Sequence, residues 1–157
     1  MGPERGDHFT RRWPKADRRR STLAYIIELL RRSRLARRWG PVFIWMAGIF
    51  YFSSRPDPLA FLPSSRRGID IGNLAHIGEY AGLTALLHRA LREQGSGGDF
   101  SPTPPHLCTL ALISLAYAVL DELHQELVPG RDFELADIGH DLAGIIAALG
   151  LIWVRER

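Results

Sequence analysis

The stretch Asp121 to Asp137, DELHQELVPGRDFELAD, constrains this chain more than any other, because its neighbours are so unlike it. Six acids, one His, one Gln and one Arg fall within it. Before it runs LCTLALISLAYAVL, with no charge, and after it IGHDLAGIIAALGLIWV, where Asp141 is the one formally charged residue. Ionised groups are costly to take out of water unless they are paired. Whatever the two apolar runs become must therefore fold around this knot. Its centre, Val128-Pro129-Gly130-Arg131, reads as a turn. Proline presets φ for a turn's second residue, and glycine tolerates positive φ just after it.

The flanking runs have the length and composition of membrane-crossing helices, over about 107–127 and 137–154. Two further candidates precede them. WGPVFIWMAGIFYFS, from Trp39 to Ser53, is uncharged and aromatic-rich, and Pro41 suits a first helical turn. A span over about 39–54 only just crosses a bilayer core, so flanking residues or local thinning must help. The fourth, NLAHIGEYAGLTALLHRAL over 73–91, is interrupted by His76, Glu79 and His88. Arg55 to Asp70, with three prolines, and Arg92 to His106, with three glycines and three prolines, read as connections. The expected fold is all-α, an integral membrane four-helix bundle, with a soluble helical bundle as the alternative.

Charge is segregated along the chain. Residues 1–38 hold 12 of the 20 Lys+Arg and four acids, a net of +8, whereas the remaining 119 residues carry a net of −5. Met1 to Arg20 has nothing to bury and is expected to be a disordered basic arm. Residues 21–38 read as an amphipathic helix, capped by Ser21 or Thr22, lying on an anionic cytoplasmic leaflet or packing on protein. Residues 39–157 then form the transmembrane domain. The arm lacks aromatic interleaving, so no nucleic-acid partner is expected. No secretory signal pattern is visible, which leaves an internal helix to start insertion. Twelve basic residues before the first span and two after the last place both termini in the cytoplasm, with the Arg55–Asp70 loop and the Pro129-Gly130 turn outside. Cys108, alone, cannot form an internal disulfide and reads as a small buried residue. No cofactor is expected.

Three of the helices carry polar stripes. Asn73, His76 and Tyr80 stand at i, i+3 and i+7, with Glu79 beside them. Asp121, His124 and Gln125 stand at i, i+3 and i+4, with Glu122 and Glu126 as a neighbouring pair; Asp137, His140, Asp141 and Gly144 repeat i, i+3, i+4, i+7. Such spacing puts side chains on one face. In an up-and-down bundle all three stripes reach the same depth, at the extracytoplasmic end, where ionisable groups mark a functional site by default. The cluster suits a polar or anionic headgroup paired to Arg131. It also suits general-base chemistry by His124 with Asp121 or Asp137, or a mutually satisfied structural network. Metal ligation has little support, because Glu122-x-His124 points its side chains apart and HExxH spacing is absent. His88 reads as solvated, His8 and His106 as loop residues, Gly144 and Gly150 as close-packing positions, and Trp39 and Trp153 as interface anchors.

These residues also carry a resemblance. Glu122-Leu123-His124-Gln125, then Val128-Pro129-Gly130-Arg131, then Asp137 resemble the signature of the VanZ-like membrane proteins. Asn73, His76, Glu79 and Tyr80 look like that family's second helix, and Ser53-Ser54 before Arg55-Pro56 like its first external loop. The resemblance runs from about Trp39 to Val154. One position departs: the family usually shows Asn in the last helix where this chain has Asp141. The resemblance implies a bacterial inner-membrane protein of the cell envelope, associated with glycopeptide (teicoplanin) resistance. A lipid-linked or cell-wall ligand on the outer face is the implied partner, and an enzyme acting on a lipid-linked envelope substrate is the alternative of a different class.

Overall fold

The computed structural model describes residues 24, 33–57, 69–93 and 101–157. The expected basic arm, most of the expected interfacial helix, and the middles of the first two connections lie outside the described residues. Among those described there are four helices and no strands: α1, Arg34–Ser53; α2, Ile69–Arg92; α3, Pro104–Gln125; and α4, Leu135–Arg155. The fold is all-α, as expected. α2 is the central helix, packed chiefly against α4 and also against α1 and α3.

Local chemistry sets the boundaries. Ser33 caps α1 by accepting from the Ala36 amide at 3.3 Å. The helix therefore begins at Arg34, and Pro41 falls inside it instead of in its first turn. A proline there has no N–H for the carbonyl four residues back. That carbonyl, on Arg37, instead accepts from the Arg89 guanidinium at 3.4 Å, and the Arg38 carbonyl from the same group at 3.3 Å. A side chain at the end of α2 thus fills the gap that Pro41 leaves in α1. α3 begins at Pro104, whose missing N–H costs nothing in a first turn, so His106 is helical and not in a loop. After Gln125 the chain tightens, with the Val128 amide on the Gln125 carbonyl at 2.9 Å. The expected turn then forms: the Arg131 amide donates to the Val128 carbonyl at 3.0 Å, and Gly130 has φ 86°.

The interior is mixed and the exterior apolar. Tyr80, Leu83, Leu110 and Ile145 are fully buried, but so are Thr84, Ser114, Glu122, Gln125 and Asp141. The Thr84 hydroxyl donates to the Tyr80 carbonyl at 2.8 Å and lies 2.9 Å from the Ser114 hydroxyl. Tyr117 reaches the Met46 carbonyl at 2.8 Å. Meanwhile Ile44, Leu112, Leu120, Ile146 and Val154 face outward. α3 and α4 are each long and apolar enough to cross a membrane, and only 28% of either apolar window is buried within the protein. A core helix of a soluble protein would be mostly buried. Apolar surface of this kind is stable against lipid and not against water. α1 and α2 carry more charge: three arginines open α1, and Glu79, Arg89 and Arg92 lie in α2.

Packing corrects several expectations about single residues. Cys108 is exposed, because the buried register of α3 runs through Leu110, Ser114, Ala118 and Asp121 and leaves Cys108 on the far side. His88 is buried, not solvated. Its Nδ1 lies 3.0 Å from His106 Nε2, and its Nε2 3.1 Å from Glu156 Oε2, where the ends of α2, α3 and α4 meet. Gly144 does mark a close approach, since a Cβ there would sit 2.2 Å from the Ile77 carbonyl oxygen, whereas nothing lies within 4 Å of a Cβ on Gly150.

Candidate polar site

The C-terminal ends of α1 and α3 lie with the N-terminal ends of α2 and α4, and most of the described acidic side chains gather there. Its best-formed contact joins α2 to α4. His76 Nδ1 lies 2.9 Å from Asp141 Oδ1, and His76 Nε2 lies 3.6 Å from Asp137 Oδ2. Asp141 is 1% exposed, so the imidazole is its main compensation for burial. His140, one turn from Asp137, holds its Nδ1 3.7 Å from Asp137 Oδ1. Asn73 is half-buried one turn before His76. Glu79 is half-buried within electrostatic reach of His76, Asp121, Asp141 and Arg131.

α3 contributes from two sides. Gln125 Nε2 donates to Asp121 Oδ2 at 3.3 Å, and Gln125 Oε1 accepts from the Arg131 guanidinium. Gln125 therefore ties the turn to the helix before it. Glu122 Oε1 accepts from the Glu134 backbone amide at 2.5 Å, which fixes where the chain enters α4. Glu126, its expected neighbour, is exposed and apart from the cluster.

His124 does not join the acids expected to orient it. It turns to α1, stacking on Phe50 with ring centres 4.5 Å apart and holding Nε2 3.0 Å from Ser54 Oγ. A Ser–His contact invites a nucleophile reading, but the proton is committed elsewhere. The Ser54 hydroxyl donates to the Phe50 carbonyl at 2.6 Å. Ser54 Oγ then accepts a hydrogen bond from the His124 Nε2–H instead of donating to it, the reverse of what an activated serine needs. Among the described residues no group of three His, Cys, Asp or Glu side chains is placed to hold a metal ion.

Two features separate this cluster from a closed structural network. Tyr80 Oη, Asp121 Oδ1 and Glu122 Oε2 are buried with no hydrogen-bond partner among the described residues. Each such atom costs on the order of 1–3 kcal/mol, so a network that only held helices would be expected to satisfy them. The second feature is Arg131. It is half-buried, and among the described residues it forms no ion pair despite the acids around it. Sequence spacing identified the residues; it could not show that Gln125, an uncharged amide, is what holds the arginine.

Apolar outside, polar within, and acid-rich at one end, this all-α bundle has the make-up of a helical membrane protein. Its family is more specific: the VanZ/LLP1 family model matches residues 38–156, and the chain belongs to that family. Comparison with curated proteins and with solved structures gives no match.

Proposed function

We propose that the chain is a four-span protein of the bacterial inner membrane, with both termini cytoplasmic. Its outward-facing polar end binds the anionic group of an envelope or lipid-linked ligand, and through the VanZ family this binding is linked to glycopeptide tolerance. The observation that carries the reading is the state of Arg131. A guanidinium presents five donors; here a neutral amide positions the group, and among the described residues no carboxylate stands within ion-pair distance of it, Glu79 acting on it only from farther off. The turn through Pro129 and Gly130 fixes its backbone, so little entropy is lost when an anion docks. A phosphate or carboxylate would take two parallel hydrogen bonds from the planar fork.

The test is native mass spectrometry of the protein extracted with its bound lipids. The wild type is expected to retain an anionic envelope lipid or lipid-linked species that Arg131→Ala loses. Arg131→Lys should retain it only weakly, since a point charge cannot reproduce bidentate pairing. A lysine variant that binds like wild type, or an alanine variant that loses only stability, would make Arg131 an internal counter-ion.

A second reading rests on the His76–Asp141 contact. A histidine held by a buried carboxylate at 2.9 Å, with its other nitrogen 3.6 Å from Asp137, is a His–carboxylate set that could exchange a proton with a ligand once that second nitrogen turns from Asp137 to the substrate. In that reading the protein acts on a lipid-linked envelope substrate, and His76 takes the role that spacing gave to His124. Turnover of a co-purified lipid-linked species, abolished in His76→Gln with binding intact, would favour it over binding alone.

A further inference from the structure

The other end of the bundle carries the opposite charge, around an open cleft of about 600 Å³. Arg34, Leu35, Arg37 and Arg38 from the start of α1 wall it, facing Arg89 and Glu93 at the end of α2. Four guanidinium groups stand there against one carboxylate. Among the described residues none of the four arginines is ion-paired, whereas Arg92, one turn from Arg89, is tied to Glu156. Two are held by backbone instead of by acids. Arg38 Nε donates to the Ala90 carbonyl, and Arg89 donates to the Arg37 and Arg38 carbonyls. Such anchoring fixes their positions without an ion pair, and Arg38 also lies over the Trp39 ring at 5.5 Å. Among the described residues Arg38 Nη2 is also buried without a hydrogen-bond partner, and an orphaned cationic donor is costly until an acceptor reaches it.

We propose that this cleft is a binding site for a phosphate group, held by Arg34, Arg37, Arg38 and Arg89. The geometry suits phosphate because fixed guanidinium forks on two facing helix ends can engage several of its oxygens at once. Glu93, on the rim, lowers the net charge without cancelling it. The phosphate can come from an anionic lipid headgroup, as basic pockets between helix ends at a membrane surface often bind, or from a soluble phosphate. This site is separate from Arg131, at the opposite end of the bundle, so either assignment can fail without the other.

The full chain in non-ionic detergent should be titrated with phosphatidylglycerol and with phosphatidylcholine, and bound lipids counted by native mass spectrometry. The test variant is Arg34→Gln with Arg37→Gln, both exposed and neither using its side chain in a helix contact. The control is Arg155→Gln with Arg157→Gln, which removes the same charge elsewhere. The wild type should bind phosphatidylglycerol saturably and in preference to phosphatidylcholine. The cleft variant should weaken that binding on the order of tenfold, while the control stays near wild type. Equal losses in both variants would mean diffuse attraction to net charge, and no preference for phosphatidylglycerol together with no binding of inorganic phosphate would remove the site. Inorganic phosphate then distinguishes the source. If it binds with the same arginine dependence and displaces the lipid, the natural ligand is soluble; if the lipid holds against it, the headgroup is the ligand.

Discussion

Asp141 shows how one side chain links burial to function. It stands where the VanZ-like family usually has Asn, it is almost fully buried, and it meets His76 across the α2–α4 contact. An amide oxygen could accept from the same imidazole nitrogen, so the hydrogen bond does not require the negative charge. Asp141→Asn should therefore melt within a few degrees of wild type in detergent. Asp141→Ala should lose on the order of 1–3 kcal/mol, since His76 would be left partly buried without its acceptor. If the asparagine variant is as unstable as the alanine one, the charge itself holds the contact. Sequence spacing alone does not set the partner of a histidine in this bundle. A stripe gives the face of a helix but not the neighbour on that face, and four histidines meet partners on another helix. His124 belongs to α1, while His88 and His106 belong to each other.

Among the elements, the crossing of α2 and α4 governs the site, because His76 and Asp141 can meet only if the helix backbones come close. Gly144 permits this, sitting on the Ile77 carbonyl where any side chain would collide. Gly144→Ala should cost about 1–3 kcal/mol through forced separation of the helices. Gly150→Ala, six positions on and open to the outside, should be neutral or slightly stabilising, since alanine is the better helix former. Thermal unfolding of the two variants in the same detergent checks this; equal effects would mean the crossing is not tight. Both glycines looked alike in sequence. Only the crossing point distinguishes them.

The whole molecule is defined by where its polar and apolar surfaces lie. The proposed four-span topology, with both termini cytoplasmic, requires Asp99 on the cytoplasmic side and both Pro63 and Gly130 outside. Single cysteines at these positions, in a chain with Cys108 replaced, should react with a membrane-impermeant reagent in intact cells at Pro63 and Gly130 and not at Asp99. Reaction of Gly130 and Asp99 from the same side would end the four-span topology. The same orientation would set the arginine cleft on the cytoplasmic surface and the acid cluster on the outer one, so this experiment also tests on which side of the membrane each site lies.

Local patterns alone determine much of this protein. Hydropathy marked the helices, the Pro129-Gly130 pair marked the turn, and helical spacing marked the faces that carry His76, Asp121, Asp137 and Asp141. These are properties of a few consecutive residues, and backbone geometry converts them directly into structure. Pairing between helices was decided elsewhere. Which histidine meets which carboxylate, why Arg131 is held by Gln125, and why Arg89 completes a helix interrupted by Pro41 all depend on the rotation and spacing of helices about one another. Those quantities are set by packing at points such as Gly144, between residues dozens of positions apart, and no local pattern encodes them.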